Sequence, residues 1–224
     1  MGPDERIQAA ISNTYVLRFP RQQLATFGIT NVYYYMITEL MPEVNVVREG
    51  RVVAARPKIV TPAYLMHIEG FSGPAQRYIQ MAAEENPHEP GILYSYKNEF
   101  GEMSVVSEPL GSIVDNINRR IDNQGDPLST IIKGVEEMWD VSLMKFTFDL
   151  TRNSVQRNFS ELYGQGRFNI DRVGVPDDAR DRIEELIDMS ARDPSHAAEL
   201  VSELHRWNLW DKYQDRFLKL FRKL

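Results

Sequence analysis

The sequence predicts an α+β protein in which helices pack on an antiparallel sheet of about five strands. Two patterns predict this class. Up to Pro109 the chain contains short stretches rich in Val, Ile, Tyr and Phe, which are typical of strands. After Pro109 apolar residues recur at helical spacing instead. The second half of the chain is therefore expected to supply helices that cover the sheet.

The predicted strands lie in the stretches TYVLRF, NVYYYMITEL, VNVVREGRVVAARPKIV, GILYSYKNEF and EMSVVSEP. Glycine supplies the positive φ that tight turns need, so Glu49-Gly50 and Gly101 are predicted to be hairpin turns. Pro57 has no N–H to give to a neighbouring strand, which places the second arm of the first hairpin at an edge or ends it there.

A pair of helices is predicted to interrupt the strands. Thr61 and Pro62 form a cap and first turn before AYLMHIEG, and Ser72 and Pro74 do so before AQRYIQMAAEEN, which Pro87 ends.

The second half of the chain predicts a series of helices. One short helix ends at Gly125, and a long core helix spans residues 128–150, where apolar residues form a broad stripe. The polar run 151–154 is expected to break or kink it, and a further helix ends at Gly164. The stretches DDARDRIEELIDMSAR, SHAAELVSELHRW and the terminal WNLWDKYQDRFLKLFRKL then resemble a small antiparallel helical array.

No Ser/Gly/Pro-rich linker separates these parts, so the sequence predicts one domain with a helical extension. Residues 1–163 are expected to form an α+β domain that contains the sheet, the inserted helices and the core helix. Residues 164–224 are expected to form a helical extension that packs on this domain or on a partner.

Composition excludes several classes of function. The 224 residues include 42% hydrophobic and 26% charged residues and no cysteine, which excludes disulfides, thiolate catalysis and zinc–thiolate sites. The first twenty residues carry no apolar run of signal-peptide length, so a cytoplasmic location is expected. A net charge of −6 disfavours a broad nucleic-acid surface without excluding a local one.

Motifs that carry chemistry are missing from the sequence. The histidines are far apart in the chain, GFSGP departs from a nucleophile elbow at Pro74, and no phosphate-binding glycine loop is present. We therefore predict no catalytic residues, no metal site and no cofactor, and the sequence favours a protein that is not an enzyme.

Two groups of residues could nevertheless bind a ligand. Side chains alternate between the two faces of a strand, so Tyr33 and Tyr35 are expected to share one face of their strand, as are Tyr94 and Tyr96. Tyrosine offers a ligand both a flat ring and a hydroxyl. The first predicted hairpin carries four cations, Arg48, Arg51, Arg56 and Lys58, of which Arg56 or Lys58 could hold the anionic end of such a ligand. Core packing explains the tyrosines more simply, and protection of an edge strand explains the cations.

The terminal helix carries an aromatic face that includes Trp207, Trp210, Phe217 and Phe221. Such a face can dock within the chain, in a partner's groove, or on an anionic membrane. Its acids precede its bases, as the helix dipole favours, and the segment before it is strongly acidic. These two features favour docking within the chain over partner binding, and partner binding over membrane binding.

The leading functional hypothesis is a cytosolic, non-catalytic protein–protein interaction or assembly factor that has a protein partner or forms a homo-oligomer. The alternative is a small-ligand-binding, possibly enzymatic, α+β domain with a tyrosine-lined pocket. A further alternative is an RNA- or ribosome-associated protein that uses Arg48 and Arg51 together with the stretch TRNSVQRN.

Overall fold

The computed structural model describes residues 2–65, 77, 80–81, 84–85 and 89–221. Within it the chain forms two compact units. The first comprises Met1–Arg56 and Tyr94–Asn158, and the second comprises Pro57–Leu93 and Phe159–Leu224. The predicted division near residue 164 stays a prediction.

The chain combines a sheet and helices in an α+β arrangement, as predicted. The strands are β1 (Tyr15–Arg18), β2 (Thr30–Met41), β3 (Val44–Ala54), β4 (Lys58–Val60), β5 (Gly91–Leu93), β6 (Tyr96–Val106) and β7 (Ser129–Gly134). The helices are α1 (Pro3–Ser12), α2 (Pro62–Leu65), α3 (Leu110–Gln124), α4 (Trp139–Gly164), α5 (Asp177–Arg192), α6 (Ala197–Arg206) and α7 (Trp210–Phe221). The second predicted inserted helix, residues 74–86, lies largely outside the described residues.

The sheet of the first unit is mixed rather than antiparallel, which corrects the sequence prediction. Its strand order is β1-β7-β2-β3-β6, and β7 runs parallel to β2. The apolar pattern of Ser129–Gly134 predicts the start of the core helix, whereas these residues form a strand. Strand β7 lies between two neighbours and is buried along nearly its whole length, so it shows an apolar run without alternation. The core helix that follows β7 in the sequence begins at Trp139.

The predicted hairpin turns at Glu49-Gly50 and Gly101 are also wrong, because both glycines lie inside long strands. The actual turn between β2 and β3 is Pro42-Glu43, where Glu43 adopts a φ of 63°. Proline followed by a residue with positive φ is the pattern of a type II turn. Gly50 serves packing instead, since a Cβ built there would lie 2.5 Å from the Tyr34 hydroxyl oxygen.

Replacing Gly50 by alanine should therefore destabilise the first unit by about 1–3 kcal/mol, because Tyr34 is buried and the Glu99 carbonyl oxygen lies 2.7 Å from the new Cβ. Gly111→Ala is the matched control. Nothing lies within 4 Å of its Cβ position in α3, so this change should stabilise by up to about 1 kcal/mol. Urea unfolding of both variants measures the difference. Equal effects of the two substitutions would contradict the packing role of Gly50.

Helix α4 continues through residues 151–154, where a break or kink was predicted. The hydroxyls of Thr147, Thr151 and Ser154 each donate to the carbonyl four residues earlier. Polar residues that bond to the backbone of their own helix remain compatible with it. The polar run therefore does not end the helix.

Each face of this sheet carries its own core. The α4 face packs Tyr34, Met36 and Val52 against Phe146 and other residues of α4. The α3 face packs residues of β2, β3 and β7, among them Tyr35, Ile37, Val47 and Ile131, against the isoleucines of α3, Ile113, Ile117 and Ile121. Alternation along β2 thus sends Tyr34 to one face and Tyr35 to the other.

The second unit contains the β4–β5 pair and helices α5, α6 and α7. The helices at 177–192 and 197–206 agree with the sequence prediction. Their core includes Ile183, Leu186, Leu200 and Leu204, and the terminal helix packs against it. Among the described helices, none is both long and apolar enough to cross a membrane.

Candidate functional site

Strand β6 lies at one end of the sheet and is the most exposed long strand of the first unit. It has 11 residues and pairs with β3 on one side. Within the described part of the chain, no strand pairs with its other side. We call this outer side, residues 96–106, the β6 edge.

The backbone of β6 directs part of its hydrogen-bonding groups outward. The Ala55 N–H donates to the Ser95 carbonyl at 3.0 Å, which fixes the alternation of the antiparallel ladder. Odd-numbered residues up to Glu99 therefore face β3. A bulge at Gly101 shifts this alternation by one residue. The outward groups then belong to Tyr96, Asn98, Phe100, Met103 and Val105.

On the α4 face the β6 edge carries an exposed apolar surface. Phe100, Met103 and Val105 are 52%, 59% and 60% exposed. The ring of Phe100 lies 6.1 Å from that of Trp139, between centroids, so the surface extends onto the start of α4. We call Phe100, Met103, Val105 and Trp139 the apolar patch.

An ion pair between the buried Arg48 and the partly buried Glu136 lies next to this patch. Arg48, directly opposite Met103 in the ladder, is 7% exposed. Its guanidinium donates to both carboxylate oxygens of Glu136, at 2.9 and 2.5 Å, and to the Thr38 hydroxyl at 2.9 Å. The Thr38 hydroxyl also donates to Glu136. The guanidinium carbon lies 5.3 Å from the Trp139 ring centroid, within cation–π range.

The hydrogen bonds from Arg48 hold the pKa of Glu136 below its usual value, against the opposing effect of burial. Glu136 therefore remains charged over the neutral pH range. The charge of Glu136 keeps the Arg48 guanidinium fixed against the Trp139 ring. The apolar patch therefore packs on an ordered ion pair.

On the α3 face, β6 borders a cleft of about 400 Å³. Its lining includes Tyr33, Tyr35, Glu49, Arg51, Glu99 and Glu102, and we call it the tyrosine cleft. Tyr33 is 41% exposed there, whereas Tyr35 is buried. A second cleft of about 320 Å³ shares Glu49 and continues between β6 and α3.

The charges of the tyrosine cleft are mostly paired. Arg51 binds Glu99 at 2.6 Å, and Arg120 of α3 binds Glu49 at 2.7 Å. Lys97 also binds Glu99, at 2.9 Å, and these two cations lower the pKa of Glu99, Lys97 contributing the larger effect. In the described residues Glu102 forms no salt bridge, and its charge acts only at longer range on Arg120, which is bound to Glu49. The cleft therefore keeps one exposed carboxylate at its outer rim.

The predicted ligand-binding tyrosines are divided between the two faces of the sheet. Tyr33 and Tyr35 line the tyrosine cleft on the α3 face. Tyr94 and Tyr96 pack with the core of the α4 face. The Tyr94 hydroxyl donates to the Asn158 side chain at 2.8 Å, and Tyr96 bonds to Thr151. Burial raises the pKa of Tyr94 to about 12. The four tyrosines do not line a common pocket.

The predicted cations Arg56 and Lys58 belong to different units. Lys58 belongs to the second unit and binds the buried carboxylate of Glu203 at 2.7 Å. Arg56 belongs to the first unit, two residues after β3 ends. Arg48 and Arg51 do not protect an edge, because β3 lies inside the sheet between β2 and β6. The RNA-binding hypothesis loses Arg48 as an accessible cation, since that residue is buried.

The aromatic residues predicted to bind a partner lie in or against the core of the second unit. Trp207 is 8% exposed, and its ring centroid lies 4.7 Å from that of Tyr64. Trp210 and Phe217 are partly buried against the same core. The side chain of Phe221 lies outside the described residues. The terminal helix is thus docked within the chain, and a partner-binding role for it stays a prediction.

Sequence reasoning missed the residues of the β6 edge. Phe100, Met103, Val105 and Glu102 lie in stretches that were correctly read as strand, and their mixture of apolar and polar residues is typical of a half-exposed strand. What the sequence does not reveal is that this strand is the last one of the sheet. Strand order depends on long-range pairing, which has no local signature.

No protein-family model, no curated protein and no solved structure matches this chain. Among the described residues, no group of three or more acidic or histidine side chains is arranged to hold a metal ion. The β6 edge and its two flanking surfaces are therefore the basis for a functional proposal.

Proposed function

We propose that this protein is a non-catalytic protein–protein interaction or assembly factor that binds an extended segment of its partner at the β6 edge. The observation that carries the proposal is the coincidence, on one strand, of outward backbone groups and the exposed apolar patch. A partner segment would add a further strand to the sheet, so that main-chain hydrogen bonds supply affinity and alternate side chains supply specificity.

Edge strands in proteins that do not use them are usually short or protected by charges, a bulge, proline or a covering element. Strand β6 has a bulge at Gly101 and carries Lys97, Glu99 and Glu102, so its protection lies at the bulge and on its α3 face. Strand β6 has 11 residues and no proline. Its α4 face is apolar at Phe100, Met103 and Val105, where protection would place Lys or Glu. Each added hydrogen bond would contribute about 0.5–1.5 kcal/mol, and burial of the patch would add to this.

The composition of the patch also fits an interaction surface. Phe, Trp, Met and Arg are enriched where partner proteins meet, and anchor residues are most effective when a rigid surface surrounds them. Trp139 and Phe100 lie against each other above the Arg48–Glu136 ion pair, which holds them in place. The patch is therefore largely preorganised, and binding would order few additional side chains.

The test uses proline to block outward N–H groups. In the variant Val105→Pro the missing N–H points away from β3, so the fold should survive while strand addition fails. The probe is a neutral peptide of about ten residues that alternates Thr and Val. We expect it to slow amide exchange at Asn98, Phe100 and Met103 in the native protein and to have no effect in Val105→Pro.

Ser104→Pro is the matched control, because the Ser104 N–H faces β3 and its loss breaks the existing ladder. This variant should unfold at a lower temperature, whereas Val105→Pro should retain a melting temperature close to that of the native protein. Failure of the peptide to slow exchange at any amide of the β6 edge would overturn the proposal. So would equal slowing in the native protein and in a folded Val105→Pro variant.

A further inference from the structure

The two sides of the β6 edge differ in chemistry. Towards the α4 face it offers the apolar patch, and towards the α3 face it offers Lys97, Glu99, Glu102 and Ser104 beside the tyrosine cleft. The side chains of an added strand alternate between the same two faces. Every second residue of a bound segment would therefore meet apolar side chains, and the others would meet the charged face.

The three cations and three carboxylates of the α3 face are equal in number, but the way they pair favours a basic residue of the segment beside Glu102. Arg51 and Lys97 share the carboxylate of Glu99, and Arg120 holds Glu49. Glu102 forms no salt bridge in the described residues, and its side chain stands at the rim of the cleft. An acidic residue placed there would be repelled by Glu102 and would find the nearby cations already engaged.

The distances of a sheet allow this contact. Side chains directly opposite each other on neighbouring strands have Cβ atoms about 4.5–5.5 Å apart, so a Lys or Arg on an added strand would reach the Glu102 carboxylate. The Glu102 carboxylate lies at the outer rim of the tyrosine cleft, so the basic side chain would bind at that rim.

We infer that the partner segment is an amphipathic strand in which apolar residues alternate with basic ones, and that a basic side chain binds at Glu102 and the tyrosine cleft. This inference rests on the proposed function and specifies the chemistry of its partner. The apolar residues of the segment contact Phe100, Met103 and Val105, and the basic residues face the cleft.

The experiment compares three peptides of about ten residues. The first alternates Val and Lys, the second alternates Val and Glu, and the third has the composition of the first with its residues in pairs, so that no face is purely apolar. We expect the Val/Lys peptide to bind at least about tenfold more tightly than either of the others. Only this peptide places every apolar side chain on the face of the apolar patch and every basic side chain on the face of Glu102. Anisotropy of labelled peptides measures the affinities, and amide exchange locates the site.

The charge-reversal variant Glu102→Lys should bring the affinities of the Val/Lys and Val/Glu peptides together or reverse their order. Glu102 is exposed, so this variant is expected to fold. Glu39→Lys is the matched control, since Glu39 is an exposed acid on β2 whose change alters net charge equally at a distance from β6.

Each pattern of results decides one point. If none of these peptides, and not the neutral one either, slows exchange at the β6 edge, the proposed function fails. If peptides slow exchange there with equal affinity whatever their charge, the function stands and the inference is overturned. Equal binding of the paired-residue peptide, or an equal effect of Glu39→Lys and Glu102→Lys, would show general charge attraction and would also overturn the inference.

Discussion

Replacing Trp207 by alanine is expected to destabilise the second unit by about 3–5 kcal/mol, the usual cost of removing a buried tryptophan. Trp207 is 8% exposed and packs against Tyr64, whose ring centroid lies 4.7 Å away. Tyr64 donates to the buried carboxylate of Glu203 at 3.2 Å, so a cavity at Trp207 would also loosen a polar contact. Large aromatic side chains leave cavities that neighbours fill poorly, which explains the size of the effect.

Urea unfolding followed by far-UV circular dichroism measures this loss. Leu218→Ala is the matched control, because Leu218 lies in the same terminal segment and is 51% exposed. A surface substitution of this kind should change the stability by about 0.5 kcal/mol or less. Similar effects of Trp207→Ala and Leu218→Ala would show that the aromatic face of the terminal segment is not part of a core.

The terminal helix shows what a sequence can reveal. Its period of aromatic residues and its order of charges are local patterns, and they predicted a helix docked within the chain. The structure has Tyr213 and Arg216 of α7 in contact with Glu184 of α5, whereas the buried Trp207 caps the end of α6 and precedes the terminal helix. Helix α3 is similar, since Gly125 adopts the left-handed conformation that ends it, as predicted.

Strand β7 shows where the same reasoning fails. Thr130, Ile131 and Ile132 fit a helical stripe and a buried strand equally well, because a strand covered on both faces has no polar alternation. Only its position between β1 and β2 decides between them. That position depends on pairing with residues far away in the chain, so the parallel arrangement could not be predicted.

Gly101, where the predicted hairpin turn is wrong, is also the residue on which the candidate site depends. Glycine marks both turns and bulges, and the sequence favoured a turn. The structure has a bulge, and the extra residue allows Phe100 and Met103, three positions apart, to lie on one face of the strand. Without the bulge, strict alternation would separate them, and the apolar patch would not form. The candidate site therefore depends on a local irregularity that the sequence marks only with one glycine.

The substitution Arg48→Met is expected to destabilise the first unit by about 3–5 kcal/mol at neutral pH. It removes one partner of a largely buried ion pair and leaves the Glu136 carboxylate without its counter-ion. Replacing both partners, as Arg48→Met with Glu136→Gln, should cost much less than Arg48→Met alone, since no buried charge remains. Arg119→Met is the control for the loss of an arginine, because Arg119 is exposed on α3.

The effect of Arg48→Met should also depend on pH. Arg48 lowers the pKa of Glu136 in the folded protein, so the ion pair stabilises the fold above the unfolded pKa of about 4.3, and this contribution is lost as the pH falls through the lower folded value. In Arg48→Met the partly buried carboxylate of Glu136 lacks its cation, so protonation of Glu136 at low pH stabilises the variant. Unfolding measured from pH 7 down to pH 3 should show the two proteins converging. A difference that stays constant over this range, or a loss no larger than that of Arg119→Met, would show that the ion pair beneath Trp139 does not support the β6 edge.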